Sequence, residues 1–387
     1  MKKIHCFFFV LSLSLSMDAQ SLSARLDKLL ADTVLNDSEV GLMVYDLTAD
    51  TLLFEHQAEK LYRPASIQKV MTAVAALEFL GTQYALNTTL YYTGEITSDS
   101  LLMGNLYVVG GFDPLFGMAD MENLTSAVAD MGVKSIVGRL IGNRSMKDTL
   151  KWGSGWCWDD GMPPLSPLLC ERTDSFMPML RKSLSGRGIT VSDSVDCFVD
   201  EAPDSVMVLV AECRRTLPEV MDRMMKKSDN LHAEALFYHL AAMGGKRYAT
   251  AEDGADMLHK VIRRIGHQPG RYRMADGSGV SLYNYLSPAL LTDVLVYAYR
   301  HGHIYQTLYE SLPIAGIDGT LKNRMKGTAA YCRVRAKTGT LTGVSSLAGY
   351  ARREDSHMLA FVIINQNTLR ARTARAWQDR VCAELCK

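Results

Sequence analysis

Three short motifs, Ser66-Ile-Gln-Lys69, Ser228-Asp-Asn230 and Lys337-Thr-Gly339, stand in that order along a chain of 387 residues. Each supplies part of one kind of chemistry: an activated serine, a polar shuttle and a cationic clamp. To act together they require a fold that brings three distant points to one place. The first two lie 162 positions apart (66 to 228). A gap of that length can hold a structural unit of its own.

Local patterning places each motif on an element. Val40 to Asp46 reads as a strand, 48–51 as a turn and Leu52 to His56 as the returning strand. Arg63-Pro64 opens a helix that Gly81 caps, with Ile67, Val70, Met71, Val74, Leu77 and Leu80 as its apolar stripe. Residues 85–205 differ in character. Thr88 to Tyr92, Leu106 to Val109 and Val137 to Gly142 read as strands, and Trp152 to Pro164 as an aromatic loop punctuated by Gly and Pro. Helical patterning returns at 217–225, 231–240, 252–265 and 287–301. Lys337-Thr-Gly339-Thr340 opens a strand that runs through Thr340 to Ala351. A turn at 352–356 precedes the β-forming run Met358 to Asn365, and a last helix spans about 371–386. A sheet fed from both ends of the chain, with helices between, is an α+β arrangement. Residues 20–84 and 206–387 are expected to form one domain, with 85–205 as a strand-rich inserted domain.

Composition removes some classes. Lys plus Arg equals Asp plus Glu at 42 each, so no basic face is implied and nucleic acid is not an expected partner. Residues 1–19 read as a signal peptide: Lys2 and Lys3, then the apolar run Phe7 to Leu15, then Ala19 before the cut. No second long apolar stretch follows, so no transmembrane anchor is expected in the mature chain. Export permits disulfides. Seven of the eight cysteines remain after cleavage, an odd number, and Cys157 with Cys170 is the pair to test first because they flank a Pro-rich loop. Cys382 and Cys386 stand one helical turn apart, usually too far for easy bonding. The cysteine spacings do not resemble a zinc site, and neither metal nor cofactor is called for.

The motifs make chemical sense as a set. A serine hydroxyl is a weak nucleophile until a base takes its proton. Ser66 and Lys69, three residues apart at a helix start, share one face, and the free helix amides there favour negative charge. Lys69 works as a base only when neutral, a state that burial and a second cation, Lys337, would promote. Ser228 can relay a proton to the leaving group, and Asn230 can hold substrate or Lys69. Lys337 and the Thr338 hydroxyl can bind a terminal carboxylate, while Gly339 lets a backbone approach closely. The Thr340 amide can join that of Ser66 as an oxyanion hole. Singly, each motif also has a bland reading: a helix cap with a solvated lysine, a cap by Ser228 or Asp229, a turn entering a strand.

In this order and context the motifs resemble those of the penicillin-binding proteins and serine β-lactamases. Asp276-Gly-Ser-Gly279-Val-Ser281, Gly110-Gly-Phe-Asp-Pro114, Trp156-Cys-Trp-Asp-Asp160 and Gly316-Ile-Asp-Gly-Thr320 look like secondary signatures of one branch. That branch is the D-Ala-D-Ala carboxypeptidase/endopeptidase group called penicillin-binding protein 4, and the likeness runs from about Ser23 to the C-terminus. The resemblance implies a serine β-lactamase/DD-peptidase-like domain, an antiparallel sheet flanked by helices. It implies a periplasmic enzyme that removes the terminal D-Ala of peptidoglycan stem peptides, cleaves cross-links and is acylated by penicillin and related β-lactam antibiotics. Carried over by motif, Ser66 is the nucleophile, Lys69 the base, and Ser228 and Asn230 the relay and positioning pair. Lys337, Thr338, Gly339 and Thr340 line the carboxylate and oxyanion sites. The best-known members carry two nested extra domains between the first two motifs. The segment here is short for both, so one is expected and the other reduced or absent. A β-lactamase is the alternative, but no Glu-x-x-Leu-Asn type loop lies between those motifs, and slow deacylation is expected. Asp276 to Gly279 also reads as a tight turn, and the Trp156/Trp158 loop as packing between domains.

Overall fold

The computed structural model describes residues 22–192, 197–199 and 206–387. The expected signal peptide lies outside the described residues.

One five-stranded antiparallel sheet organises the molecule. Its order is Val334–Leu341, Val344–Arg352, Met358–Gln366, Glu39–Asp46, Thr51–His56. Its three inner strands are almost continuously buried, because helices cover both faces. Period-two alternation then sorts their side chains. Ala348, Tyr350, Ala360, Val362 and Ile364 face a core built with helices Gln68–Phe79, Asn230–Ala241 and Pro288–Arg300. Leu347, Ala351, Leu359, Phe361 and Ile363 face the helix at 22–30 and the terminal helix Ala371–Leu385. Trp377 anchors that second layer, buried and donating from Nε1 to the Leu29 carbonyl at 2.8 Å.

Helix Gln68–Phe79 departs from the stripe expected of it. Gln68 to Leu77 are all buried, so the helix runs through the core and Ala73, Ala75 and Ala76 admit close neighbours on the remaining faces. Gly81 does end it, in the left-handed conformation and with its N–H on the Ala76 carbonyl.

The middle of the chain forms two further sheets. One has the order Cys197–Val199, Leu140–Asn143, Leu106–Val109, Ala85–Tyr92, Val208–Thr216, and a four-stranded one joins Glu95–Ile96, Leu101–Met103, Ser135–Ile136 and Thr190–Val191. Strands Ala85–Tyr92 and Val208–Thr216 pair antiparallel, so the chain enters and leaves this part side by side. Val208–Thr216 therefore lies in this second sheet although it falls beyond the boundary expected at 205. Two helices, Met118–Asp130 and Phe176–Gly186, pack on these sheets around Leu124, Val128, Leu180 and Leu184. A segment read only as strands and turns thus also carries helices. Met121, Leu124, Thr125 and Val128 recur at helical spacing in the first, and Pro178 disguises the second by falling within its first turn, where proline is tolerated.

Two other expectations change. The Lys337 motif does not open a strand but sits in the middle of Val334–Leu341, and the run read as Thr340 to Ala351 is broken by a two-residue turn with Gly343 at φ +75°. Cys157 and Cys170 are both free: Cys157 is on an exposed loop, whereas Cys170 is buried among Phe176, Leu180 and their neighbours. Cys382 and Cys386, also free, are buried, the first in the last turns of the terminal helix and the second at its C-cap.

Candidate active site

Ser66 lies in a single 3-10 turn, Ala65–Ile67, that leads into helix Gln68–Phe79. Ala65 holds φ +51°, a strained conformation for a residue with a Cβ. Lys69 is fully buried one turn on, and its Nζ lies 2.9 Å from Ser66 Oγ, 2.7 Å from Asn230 Oδ1 and 2.8 Å from the Ser278 carbonyl. The last two atoms only accept. In its neutral form the amine would spend its two N–H bonds on them and turn its lone pair to the Ser66 hydroxyl. Burial lowers Lys69 to about 8, against the opposing pull of Asp276, Glu234 and Asp229.

Ser228 occupies the break between helices Leu217–Lys226 and Asn230–Ala241, at φ +59°. Its neighbour Asp229 caps the second helix, accepting from the Leu231 N–H at 3.1 Å. Asp229 also receives both terminal nitrogens of Arg172, at 2.8 and 3.2 Å. Burial would raise its carboxyl, but His232 and then Arg172 hold it well below the usual carboxylate range. Arg172 comes from the middle of the chain, far from the second motif in sequence, and clamps it.

Lys337 is fully buried and donates to Ser228 Oγ at 2.7 Å and to the Thr338 carbonyl at 2.6 Å. Burial, then the nearby Lys69, pushes it well below an ordinary lysine. Gly339 sets how closely this strand meets the Ser66 turn. A Cβ there would lie 2.1 Å from Ser346 Oγ, 2.9 Å from the Pro64 carbonyl and 3.0 Å from the Ser66 nitrogen. Gly339 thus admits the protein's own backbone. Above it opens a cleft of about 510 Å³ walled in part by Ser66, Ser228, Thr320, Thr338 and Thr340.

The segments quoted as secondary signatures lie around these residues. Asp276-Gly-Ser-Gly279 is a tight turn, as one reading had it, and it also packs on the site. Ser278 offers its carbonyl to Lys69, Thr72 Oγ1 donates to the Gly277 carbonyl at 2.7 Å, and a Cβ on Gly279 would meet the Ala65 carbonyl at 2.0 Å. Asp276 holds this turn by accepting from the N–H groups of Gly279 and Ser281, from Asn284 Nδ2 and from Trp156 Nε1, each at 2.7–2.8 Å. Trp156 therefore does join the two parts of the chain, whereas Trp158 is 97% exposed and packs on little. Asp318 of the Gly316 to Thr320 run takes Lys226 at 2.7 Å, and Thr320 Oγ1 accepts from Thr338 Oγ1 at 2.9 Å. The Gly110 to Pro114 run supports from behind, its Gly111 carbonyl 2.8 Å from His239 Nε2 on the Asn230 helix.

Glu234 is the least expected member. It is buried on that same helix and accepts the Ser278 N–H at 2.8 Å and the Gly277 N–H at 3.4 Å, which fixes the turn whose carbonyl holds Lys69. Burial, then the charge of Asp276, raises it to about 8. The folded chain therefore keeps a proton on Glu234 between its ordinary value of 4.5 and about 8, while the unfolded chain has lost it. Stability from this group falls as pH rises through that window. Glu234→Gln is expected to flatten the decline of melting temperature between pH 5 and 8. A slope identical to the wild type would show that Glu234 is already ionised in the fold.

Among the described residues no helix is long and apolar enough to cross a membrane. The sequence matches the model of the D-Ala-D-Ala carboxypeptidase 3 (S13) family over residues 22–173 and 165–385. It is 25% identical to the D-alanyl-D-alanine carboxypeptidase DacB of Haemophilus influenzae, over 84% of this chain and 85% of that protein. It is 28% identical to carboxypeptidase DacB of Mycolicibacterium smegmatis, over 91% and 82%. The fold superposes on the crystal structure of penicillin binding protein 4 from Haemophilus influenzae with a TM-score of 0.82 at 24% identity, covering 91% of this chain and 97% of that one. Matched from its first described helix to its last, the chain belongs to the D-Ala-D-Ala carboxypeptidase 3 (S13) family.

Proposed function

We propose that the chain is a serine-type D-alanyl-D-alanine carboxypeptidase and endopeptidase of peptidoglycan that works through an acyl-enzyme on Ser66. One observation carries this reading: the buried Lys69 amine, held by two acceptors with its third contact on Ser66 Oγ. Lys69 takes the Ser66 proton as Oγ attacks the carbonyl carbon of the scissile D-Ala amide. The Ser66 and Thr340 amides hold the oxyanion. The C–N bond then breaks, and the amine leaves with a proton delivered through Ser228, whose hydroxyl is held by Lys337. Water hydrolyses the ester and restores Ser66. The threonines Thr338 and Thr340 face the substrate carboxylate. A β-lactam, with its strained amide, enters the same first step.

In this reading residues 20–84 and 206–387 are the catalytic domain, 85–205 an inserted one, and 1–19 a leader that directs the enzyme to the periplasm, where its substrate lies. Deacylation after penicillin is expected to be slower than in a β-lactamase, because among the described residues walling the cleft no carboxylate is placed to activate water for rapid turnover. The test is direct. The purified chain should release D-Ala from a peptide ending D-Ala-D-Ala, and intact mass should show a lasting penicilloyl adduct mapped to the Ser66 peptide. Rapid turnover of a chromogenic cephalosporin without D-Ala release would replace this reading with a β-lactamase.

A further inference from the structure

The cleft above Ser66 has an electrostatic asymmetry that the three motifs do not explain. Among the described residues its charged wall residues are Arg324 and Arg375, and no acid lines it. Lys337, the cation expected to meet a carboxylate, is fully buried and already donates to Ser228 Oγ and the Thr338 carbonyl. Arg324 is committed elsewhere: it donates to Asp379 at 2.9 Å, to Gln378 Oε1 at 3.1 Å and to the Arg375 carbonyl at 3.2 Å. Arg375 differs. No carboxylate pairs with it among the described residues, and its side chain donates to Thr340 Oγ1 at 3.2 Å. That contact sets the guanidinium at the Thr338/Thr340 edge and leaves most of its five N–H donors open.

We propose that Arg375 is the specificity-determining residue that receives the free carboxylate next to the scissile bond, the Thr338 and Thr340 hydroxyls completing its seat. This rests on the peptidase reading above and names what that site selects. A guanidinium stays charged in any fold and matches a carboxylate with two parallel bonds. Its mounting suits the task. Arg375 projects from the second turn of the terminal helix. Arg324 fixes its carbonyl, and Gln378, one turn on, is tied to Asn365 and Ser345 of the sheet. The cation therefore stands on a rigid element beside the strand that carries Thr340.

Two acyl-D-Ala-D-Ala peptides, one ending in a carboxylate and one in a carboxamide, separate the possibilities when D-Ala or D-alaninamide release is followed. Wild type is expected to favour the carboxylate. Arg375→Ala should lose about 10- to 100-fold in kcat/KM on the carboxylate, mainly through KM, and little on the carboxamide. Arg375→Lys should recover part of the preference. An Arg375→Ala enzyme that keeps the wild-type preference, or loses equally on both peptides, overturns the assignment. A wild type that releases neither product overturns the peptidase reading and this inference with it. Arg375 is exposed, so unchanged melting temperatures are expected for both variants and check that the loss is one of recognition.

Discussion

Lys69→Met is expected to slow acylation of Ser66 by about 10²- to 10⁴-fold, the range of a positioned general base. Methionine matches the length of the lysine stem and fills the same buried channel, so packing is largely kept. What disappears is the lone pair facing Ser66 Oγ and the two donors that satisfied Asn230 Oδ1 and the Ser278 carbonyl. Those orphaned acceptors cost about 1–3 kcal/mol each if water cannot reach them, so a lower melting temperature accompanies the loss. The pH dependence is the sharper readout. Burial holds Lys69 near 8, so its neutral fraction, and with it the acylation rate, should rise as pH climbs toward about 8 and level off above. Labelling by fluorescent penicillin from pH 6 to 9.5 measures this limb. In Lys69→Met the limb should vanish, and Ser66→Ala should remain unlabelled throughout. A limb that survives the loss of Lys69 would assign the titration, and the base, to another group.

Much of this site is visible in the sequence because each motif is local. Ser66 and Lys69 need only the first turn of a helix, Ser228 to Asn230 only a break between two helices, and Lys337 to Thr340 only a strand. The β-forming run at Met358 to Asn365 similarly announces a strand, and burial of both faces of the sheet is why it is apolar almost throughout. The missing parts depend on approach across the fold. Ser278 holds Lys69 from 209 positions away, and Arg172 reaches Asp229 across 57. No spacing rule finds them. The Asp276-Gly-Ser-Gly279 turn left a trace in its residue types, since Gly279 at φ +83° packs against the Ala65 carbonyl, but its target was not legible. Glu234 and Arg375 left none: one is a carboxyl on an apolar helix, the other one of three arginines at 370–375. The helices Met118–Asp130 and Phe176–Gly186 were hidden for another reason. Each lies among short strands and turns, and weak local periodicity loses to that surrounding pattern.

Gly339→Ala should damage both fold and function, and it tests whether the close approach of strand to the Ser66 turn is what aligns the proposed oxyanion donors. The added methyl would stand 2.1 Å from Ser346 Oγ, 2.9 Å from the Pro64 carbonyl and 3.0 Å from the Ser66 nitrogen. The first clash has an escape by rotation, but that hydroxyl donates to the same Pro64 carbonyl at 2.6 Å, and turning it away strands a buried acceptor. The other two involve backbone, which cannot rotate aside. The strand must retreat from the turn, carrying the Thr340 amide away from that of Ser66. Overpacking of this kind costs about 1–3 kcal/mol in stability. Loss of a positioned oxyanion donor costs about 10²- to 10³-fold in rate. Stopped-flow acylation and thermal unfolding together read both effects. Adding Ser346→Ala separates the causes: it removes the nearest clash and leaves the backbone contacts. Only partial recovery is expected, since the misplaced amide pair remains. Full recovery in the double variant would place the damage on the Ser346 hydroxyl alone, and wild-type acylation by Gly339→Ala itself would mean that the strand and the Ser66 turn need not meet this closely for the oxyanion to be held.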